Sequence, residues 1–287
     1  MIRRILLAGS AVAMLLALTA TAEADPFTLG PAAGFTVLGR SSVTINNSDL
    51  FAVRGNVGVG GGNGSLQKAT VDGNVIISSG ANPSISGKDF IVTGGITTGA
   101  NLTSAINAAI AASNAAAGLT ATQTFTNITS DLTIVGSGGQ NVISVNSIDL
   151  NGANLTLSGG ANDVFVINIS GDFLLSHAQI VLSGVSLDNV LFNVTGTGTT
   201  VDFHKQDTAV FGTVLAPDRD LIVDNAGLVV HGAIIANNIT IHSGGQVSGP
   251  SAVPEPATLV LLGTGLAGIA GQIRRRRRIR ASKLQTQ

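Results

Sequence analysis

The sequence predicts a mainly β protein: a parallel β-solenoid with one alanine-rich α-helix alongside, a signal helix at the N-terminus and a single transmembrane helix at the C-terminus. Three observations predict it. A glycine-then-β-branched unit recurs about every 20 residues, an uncharged alanine-rich stretch interrupts it once, and an apolar segment lies near each chain end.

Residues 1–24, MIRRILLAGSAVAMLLALTATAEA, begin with Arg3 and Arg4, run apolar from Ile5 to Leu18, and leave through the small residues Ala22 and Ala24. That order reads as a secretory signal peptide cleaved near Asp25. Its apolar run is short for a bilayer span of roughly 20 residues.

The body, residues 25–250, carries the recurrence. RGNVGVG (54–60), DGNVIIS (72–78) and TGGITTG (93–99) place the unit at steps of 18 and 21, and FGTVLAP (211–217) and HGAIIAN (231–237) repeat it 20 residues apart. Alternating apolar residues follow, such as Leu221 and Val223 or Ile239 and Ile241, as in strands with one buried face. Gly, Asn and Asp close each run. A 20-residue repeat of short strands and tight turns signs a solenoid whose coils each stack on the last. A β-sandwich of hairpins is the alternative, but it has no reason to keep a constant glycine step.

The interruption, NLTSAINAAIAASNAAAG (101–118), predicts a helix over about 102–117, with Leu102, Ile106 and Ile110 at helical spacing and Gly118 just past its end. It carries no charge, so it is expected to pack along the solenoid. Open solenoid ends pair with anything strand-like, and the Phe27–Val37 segment and this helix are the expected caps.

Residues 251–256 form a linker that holds Pro254, Glu255 and Pro256. The uncharged residues 257–273 then sit at the low end of what spans a bilayer. Arg274, Arg275, Arg276, Arg277 and Arg278 follow, so the positive-inside rule leaves residues 274–287 as a basic cytoplasmic tail and exports the body.

Between the ends, residues 25–252 hold six basic residues against fourteen aspartates, a net charge of about −8. An acidic surface argues against nucleic acid as a partner. No cysteine is present, so the exported chain depends on a long continuous core rather than disulfides.

Candidate chemistry is thin. The glycine units do not keep threonine at one place, so no regular threonine ladder emerges. Asp202, His204, Lys205 and Asp207 in VDFHKQD, with Asp218, Arg219 and Asp220 in PDRD about one coil later, are the carboxylate and basic groups a polysaccharide-cleaving site would use; both clusters are expected at turns, where charge collects anyway. The chain has no Trp or Tyr to stack on sugars. His177, His204, His231 and His242 stand singly, without zinc-like spacing. GGANDVFV (159–166) is one residue short of a calcium-binding nonapeptide and occurs once. Asn127, Asn168 and Asn193 head Asn-x-Ser/Thr sequons in apolar strand contexts.

The tail, with VPEP at 253–256, an apolar segment and an arginine cluster, closely resembles the PEP-CTERM sorting signal. That resemblance implies recognition at Pro254-Glu255-Pro256 and processing by an exosortase-type enzyme in exopolysaccharide-making bacteria. The body resembles the ice-binding-like β-solenoid family and the choice-of-anchor A domains, on LGPAAGFTVLGRSSVTINNSDLFAVRGNVGVG at its start, the alanine-rich helix, and GANDVFVINISGDFLLSHAQIVLSGVSLDNVLFNV leading into FGTVLA and HGAIIA. It implies a right-handed solenoid of triangular section with a helix alongside; some members bind ice and many do not, and no binding residue transfers.

The expected protein is an exported cell-surface or matrix solenoid, tethered to the inner membrane through its C-terminal helix until processed. A structural or adhesive role is expected, in a biofilm or with exopolysaccharide or other surface components as partners, and without enzymatic activity, cofactor or metal. Ice binding, and a matrix polysaccharide-active enzyme, are the alternatives.

Overall fold

The computed structural model describes residues 27–47, 51–86, 89–196 and 198–249. The expected signal peptide with Ala22 and Ala24, the Pro254-Glu255-Pro256 motif, the expected 257–273 span and Arg274 to Arg278 lie outside the described residues.

After a short 3-10 turn at Gly30–Gly34, the first part of the chain forms β1 (Val37–Asn46), β2 (Val53–Arg54), β3 (Val57–Val59), β4 (Ser65–Gln67), β5 (Ala69–Asp72), β6 (Val75–Ser78), β7 (Ser84–Ile85), β8 (Phe90–Val92) and β9 (Ile96–Ala100). The helix α1 (Thr103–Ala117) follows, as expected. The second part forms β10 (Gln123–Ile128), β11 (Leu132–Val135), β12 (Gln140–Asn151), β13 (Asn154–Ser158), β14 (Val164–Ile169), β15 (Phe173–Ser176), β16 (Gln179–Ser183), β17 (Val190–Val194), β18 (Val201–His204), β19 (Ala209–Phe211), β20 (Thr213–Ala216), β21 (Leu221–Asp224), β22 (Val229–His231), β23 (Ile234–His242) and β24 (Gln246–Ser248).

All strand pairings among the described residues are parallel, and they build three faces. Face a stacks β10, β12, β14, β17, β20, β23, β1, β3, β6 and β9. Face b stacks β12, β15, β18, β21, β23, β1, β4 and β7, the long strands β1, β12 and β23 turning the corner between the two faces. Face c stacks β11, β13, β16, β19, β22, β24, β2, β5 and β8. Alternate residues of most strands are buried, as in Leu221 and Val223 or Val43 and Ile45. One continuous apolar column results, centred on the fully buried Phe165, Phe173, Phe192 and Phe203. Phe173 packs on Phe192 and Phe203 with ring centroids 5.2 and 5.0 Å apart.

The stacking order is not the chain order, which corrects the expectation that each coil follows the last. β1 pairs with β23 from Val37↔Ile234 to Asn46↔His242, so the first coil lies on the last in mid-column. From there the chain winds out to β9, travels back along the column as α1, and winds in again from β10. Polar bonds hold this seam: Ser41 donates to Asn237 at 2.7 Å, Ser42 to Asn238 at 2.8 Å, and the buried Asn47 to the Gly245 carbonyl at 2.7 Å. Arg40 pairs with Asp218 across it.

The expected caps are therefore elsewhere. The Gly30–Gly34 turn and β1 sit beside α1 at mid-column, and α1 lies lengthwise on face a. Fifteen helical residues span about 22 Å, or four to five coils at about 4.8 Å. The helix seats its small residues Ala105, Ala109, Ser113 and Ala116 on Leu38, Val166, Leu191, Leu215 and Ile235, while Ile106 and Ile110 are only partly buried. Small side chains let the helix axis approach the sheet. Asn168 donates to the Ala116 carbonyl at 2.8 Å, and Asn193 to the Ser113 carbonyl at 3.0 Å while accepting from the Ser113 hydroxyl at 2.7 Å. The sequon asparagines at 168 and 193 are thus the polar latch of the helix.

The repeated glycines have a steric cause. A Cβ on Gly73 would lie 2.4 Å from the Gly55 carbonyl oxygen, and one on Gly232 would lie 2.1 Å from that of Gly212. At this corner successive backbones touch, and Gly212 and Gly232 also take φ of 133° and 139°, which side chains with a Cβ rarely adopt.

Candidate functional site

With the middle of face a covered by α1, faces b and c offer the long uncovered surfaces. Outward positions on face b fall into two rows. The first reads Leu174, Asp202, Ile222, then Thr240, Thr44, Ser65 and Ser84 on successive coils. The second reads Ser176, His204, Asp224, His242, Asn46 and Gln67. One half of the face is thus charged and the other neutral and hydroxyl- or amide-bearing.

The row Thr240–Thr44–Ser65–Ser84 is not a regular threonine ladder, but it lines up hydroxyls on four successive coils. The glycine units compared in the sequence lead into face a strands, beneath or beside the helix, whereas this row crosses the seam and joins residues 196 positions apart. Thr44, Ser65 and Ser84 stand at steps of 21 and 19, near the coil period, but no spacing along the chain reveals that Thr240 joins them.

The charged half forms a shallow groove of about 300 Å³ lined by Asp202, His204, Lys205, Ile222, Asp224, Asn225 and His242. Asp202 and His204 lie on β18, not in a turn as expected; Lys205 and Asp207 are in the turn after it, with φ of 73° and 62°. His242 Nδ1 is 2.9 Å from Asp224 Oδ1, and His204 Nδ1 is 3.5 Å from Asp202 Oδ1. The latter two atoms are buried and have no hydrogen-bond partner. Among the described residues no three such groups converge closely enough to hold a metal ion as the side chains stand. His204 and His242, which stand singly in the sequence, come onto one face two coils apart, with Asp224 between them. The steps from 204 to 224 to 242 match the coil period, and that was the available signal.

The second carboxylate cluster is spent on structure. Asp220 accepts from Asn237 at 3.1 Å and from Asn238 at 2.8 Å, and Asp218 holds Arg40. Arg219 is buried, donating to the carbonyls of Thr199 at 2.8 Å and Gly171 at 3.1 Å. In the calcium-like stretch, Asp163 turns inward and accepts from the Gly160 and Gly138 amides at 2.7 and 2.9 Å and from Asn141 at 3.0 Å. These bonds, the Gly160 amide foremost, hold its carboxyl below the usual carboxylate range. Both oxygens of Asp163 are committed to the protein.

On face c, Phe211 and His231 stack in register on adjacent coils, with centroids 4.5 Å apart. Burial holds the His231 imidazole below its ordinary value, which favours its neutral form.

Parallel coils on three faces, a seam joining the first coil to the last, and a return helix define a mainly β protein of the β-solenoid class, with about nine turns. The chain belongs to the ice-binding-like adhesive domain family, whose model matches residues 26–249. Residues 252–277 match the PEP-CTERM protein-sorting motif, which implies export, sorting to the surface and processing by an exosortase. No curated protein matches the chain in sequence.

Solved structures share the fold. A glycosylated ice-binding protein from an Arctic yeast is 19% identical, with a TM-score of 0.59 over 79% of this chain and 95% of its own. An ice-binding protein from the Antarctic ascomycete Antarctomyces psychrotrophicus is 21% identical, with a TM-score of 0.57 over 78% and 98%. A Shewanella frigidimarina ice-binding protein domain is 18% identical, with a TM-score of 0.54 over 78% and 97%.

Proposed function

We propose that the solenoid is an adhesive module of the cell surface, presenting faces b and c to extracellular polysaccharide. The observation that carries this reading is the change of character along face b, from Asp202, His204, Asp224 and His242 to Thr240, Thr44, Ser65 and Ser84. A crystalline ligand repeats the same contact at every step, whereas a polymer bearing hydroxyls and charges is matched by a varied strip. In this reading residues 1–24 are removed after Ala22 and Ala24, the 257–273 helix tethers the precursor, Arg274 to Arg278 keep its end in the cytoplasm, and Pro254-Glu255-Pro256 is the element processed. The test is co-sedimentation of the protein with the producer's own exopolysaccharide. Retention supports the reading, and free protein in the supernatant opposes it.

Ice binding is the second reading, favoured by the four-coil hydroxyl row. If it holds, ice crystals grown in the protein become faceted, and Thr44→Lys, in the middle of the row, abolishes the faceting. An enzymatic reading has less support, because Asp218, Arg219 and Asp220 are engaged in structural bonds. Release of reducing sugar from the exopolysaccharide would restore it.

A further inference from the structure

We propose that the protein pairs end to end with a second copy of itself through the coil formed by β7, β8 and β9, the end of the column that the first winding leaves open. Each of these strands has a neighbour on one side only: β7 lies on β4, β8 on β5 and β9 on β6. Register shows which of their side chains point into the column. Ile85 is opposite Leu66, Val92 opposite Val71, and Ile96 opposite Val75. Leu66, Val71 and Val75 are fully buried, whereas Ile85 is 43% exposed and Ile96 45%. The apolar core therefore runs out to water here, because no further coil lies over it. The helix α1 packs on β14, β17 and β20, away from this end.

The occupant that fits is another such end. Solvent-facing edges are usually guarded by charge, proline or a bulge. The strands here read SI, FIV and ITTGA, without charge or proline, and the bulge of β9 lies past Thr97. Three free edges around one apolar centre match a whole coil rather than a single peptide strand. A coil of about 20 residues presented end on also supplies the roughly 20–30 residues a side of a stable interface. The opposite end of the column offers no such match. Its terminal strands β10 and β11 keep the inward Ile128 and Ile134 only 3% and 1% exposed, so that end is already closed. Pairing is therefore between like ends, about a two-fold axis. Such an axis reverses the winding sense, so the strands of the two coils meet antiparallel, one face against its own copy and the other two exchanged. Two columns on one line double the length of faces b and c, and the pairing does not depend on what those faces bind.

The full-length protein, purified in detergent, is measured by sedimentation equilibrium with the detergent density-matched. The mass of two chains is expected, falling to one on dilution. Ile85→Lys and Ile96→Lys each put an ammonium into the paired end and should weaken association at least about tenfold. Val135→Lys, at a site 61% exposed on the opposite end, should leave it unchanged. Orientation is read independently on the otherwise unaltered chain. It has no cysteine, so Ile91→Cys, between the inward Phe90 and Val92 and itself facing out from β8, takes a single spin label. Like ends place two labels within about 30 Å across the column's width, whereas unlike ends separate them by the length of nine coils, about 43 Å. This distance keeps the proposal testable should the lysine variants fail to fold. A one-chain mass at every concentration, a dimer that survives both lysine substitutions in folded protein, an equal loss in Val135→Lys, or labels a column length or more apart overturns the proposal.

Discussion

At the residue scale, single atoms decide whether coils can stack. Gly232→Ala drives a Cβ to 2.1 Å from the Gly212 carbonyl oxygen at a φ of 139°, so it should cost about 2–4 kcal/mol. Gly80→Ala, with nothing within 4 Å, should be near neutral; thermal unfolding of the two variants measures the contrast. Asp163 gives a pH signature. Its folded-state pKa is depressed by the Gly160, Asn141 and Gly138 hydrogen bonds, so its contribution to stability is present above about pH 4 and is lost as pH falls through the folded value. Asp163→Asn should be less stable than wild type at pH 7, and the gap should narrow toward pH 3 in urea unfolding. The glycines at 55, 73, 94, 212 and 232 were legible in the sequence because the clash recurs every coil. In sequence Asp163 reads as part of a calcium-like stretch, because a motif shows which residues are near in chain but not that amides from two coils converge on one carboxylate.

At the element scale, α1 is fastened by a few polar atoms over a small-residue stripe. Asn193 is fully buried, and its amide bonds Ser113 and Asn168. Asn193→Ala should therefore cost about 1–3 kcal/mol by leaving the Ser113 groups unpaired. Amide hydrogen exchange should speed up through 103–117 well before the coils are affected. The helix itself was legible from its alanine content, its apolar spacing and Gly118. Its role was not: Leu102, Ile106 and Ile110 drew attention as the apolar positions, but Ala105, Ala109, Ser113 and Ala116 make the closest approach. A stripe of alanines has no hydrophobic contrast with the rest of an alanine-rich helix, and its meaning depends on the flat sheet opposite.

At the scale of the whole molecule, the seam between β1 and β23 makes one column from two windings. Asn47, fully buried and bonded to the Gly245 carbonyl, is a test of it. Asn47→Ala should lower global stability by about 1–3 kcal/mol and raise exchange in 37–46 and 234–242 together, since neither edge has another strand to pair with. Because β1 needs β23, nearly two hundred residues later, the mid-column cannot close until most of the chain is available. Long-range parallel pairing of this kind should make refolding slow, on the millisecond-to-second scale or longer, as stopped-flow fluorescence of an added reporter dye would record.

By itself the sequence determined the repeat length, the β class, the helix and its boundaries, the acidic charge of the body, and the family likeness of body and tail. Each follows from local rules: alternation within a strand, close backbone contact at a recurring corner, side-chain charge. Only the tertiary structure decided which coil lies on which, and so which side chains share a face. Thr240 beside Thr44, and His204 and His242 on either side of Asp224, are products of that order. Parallel strands are chosen by edge pairing and by the burial of one common column, and nothing in a strand's own residues states which distant edge it will meet.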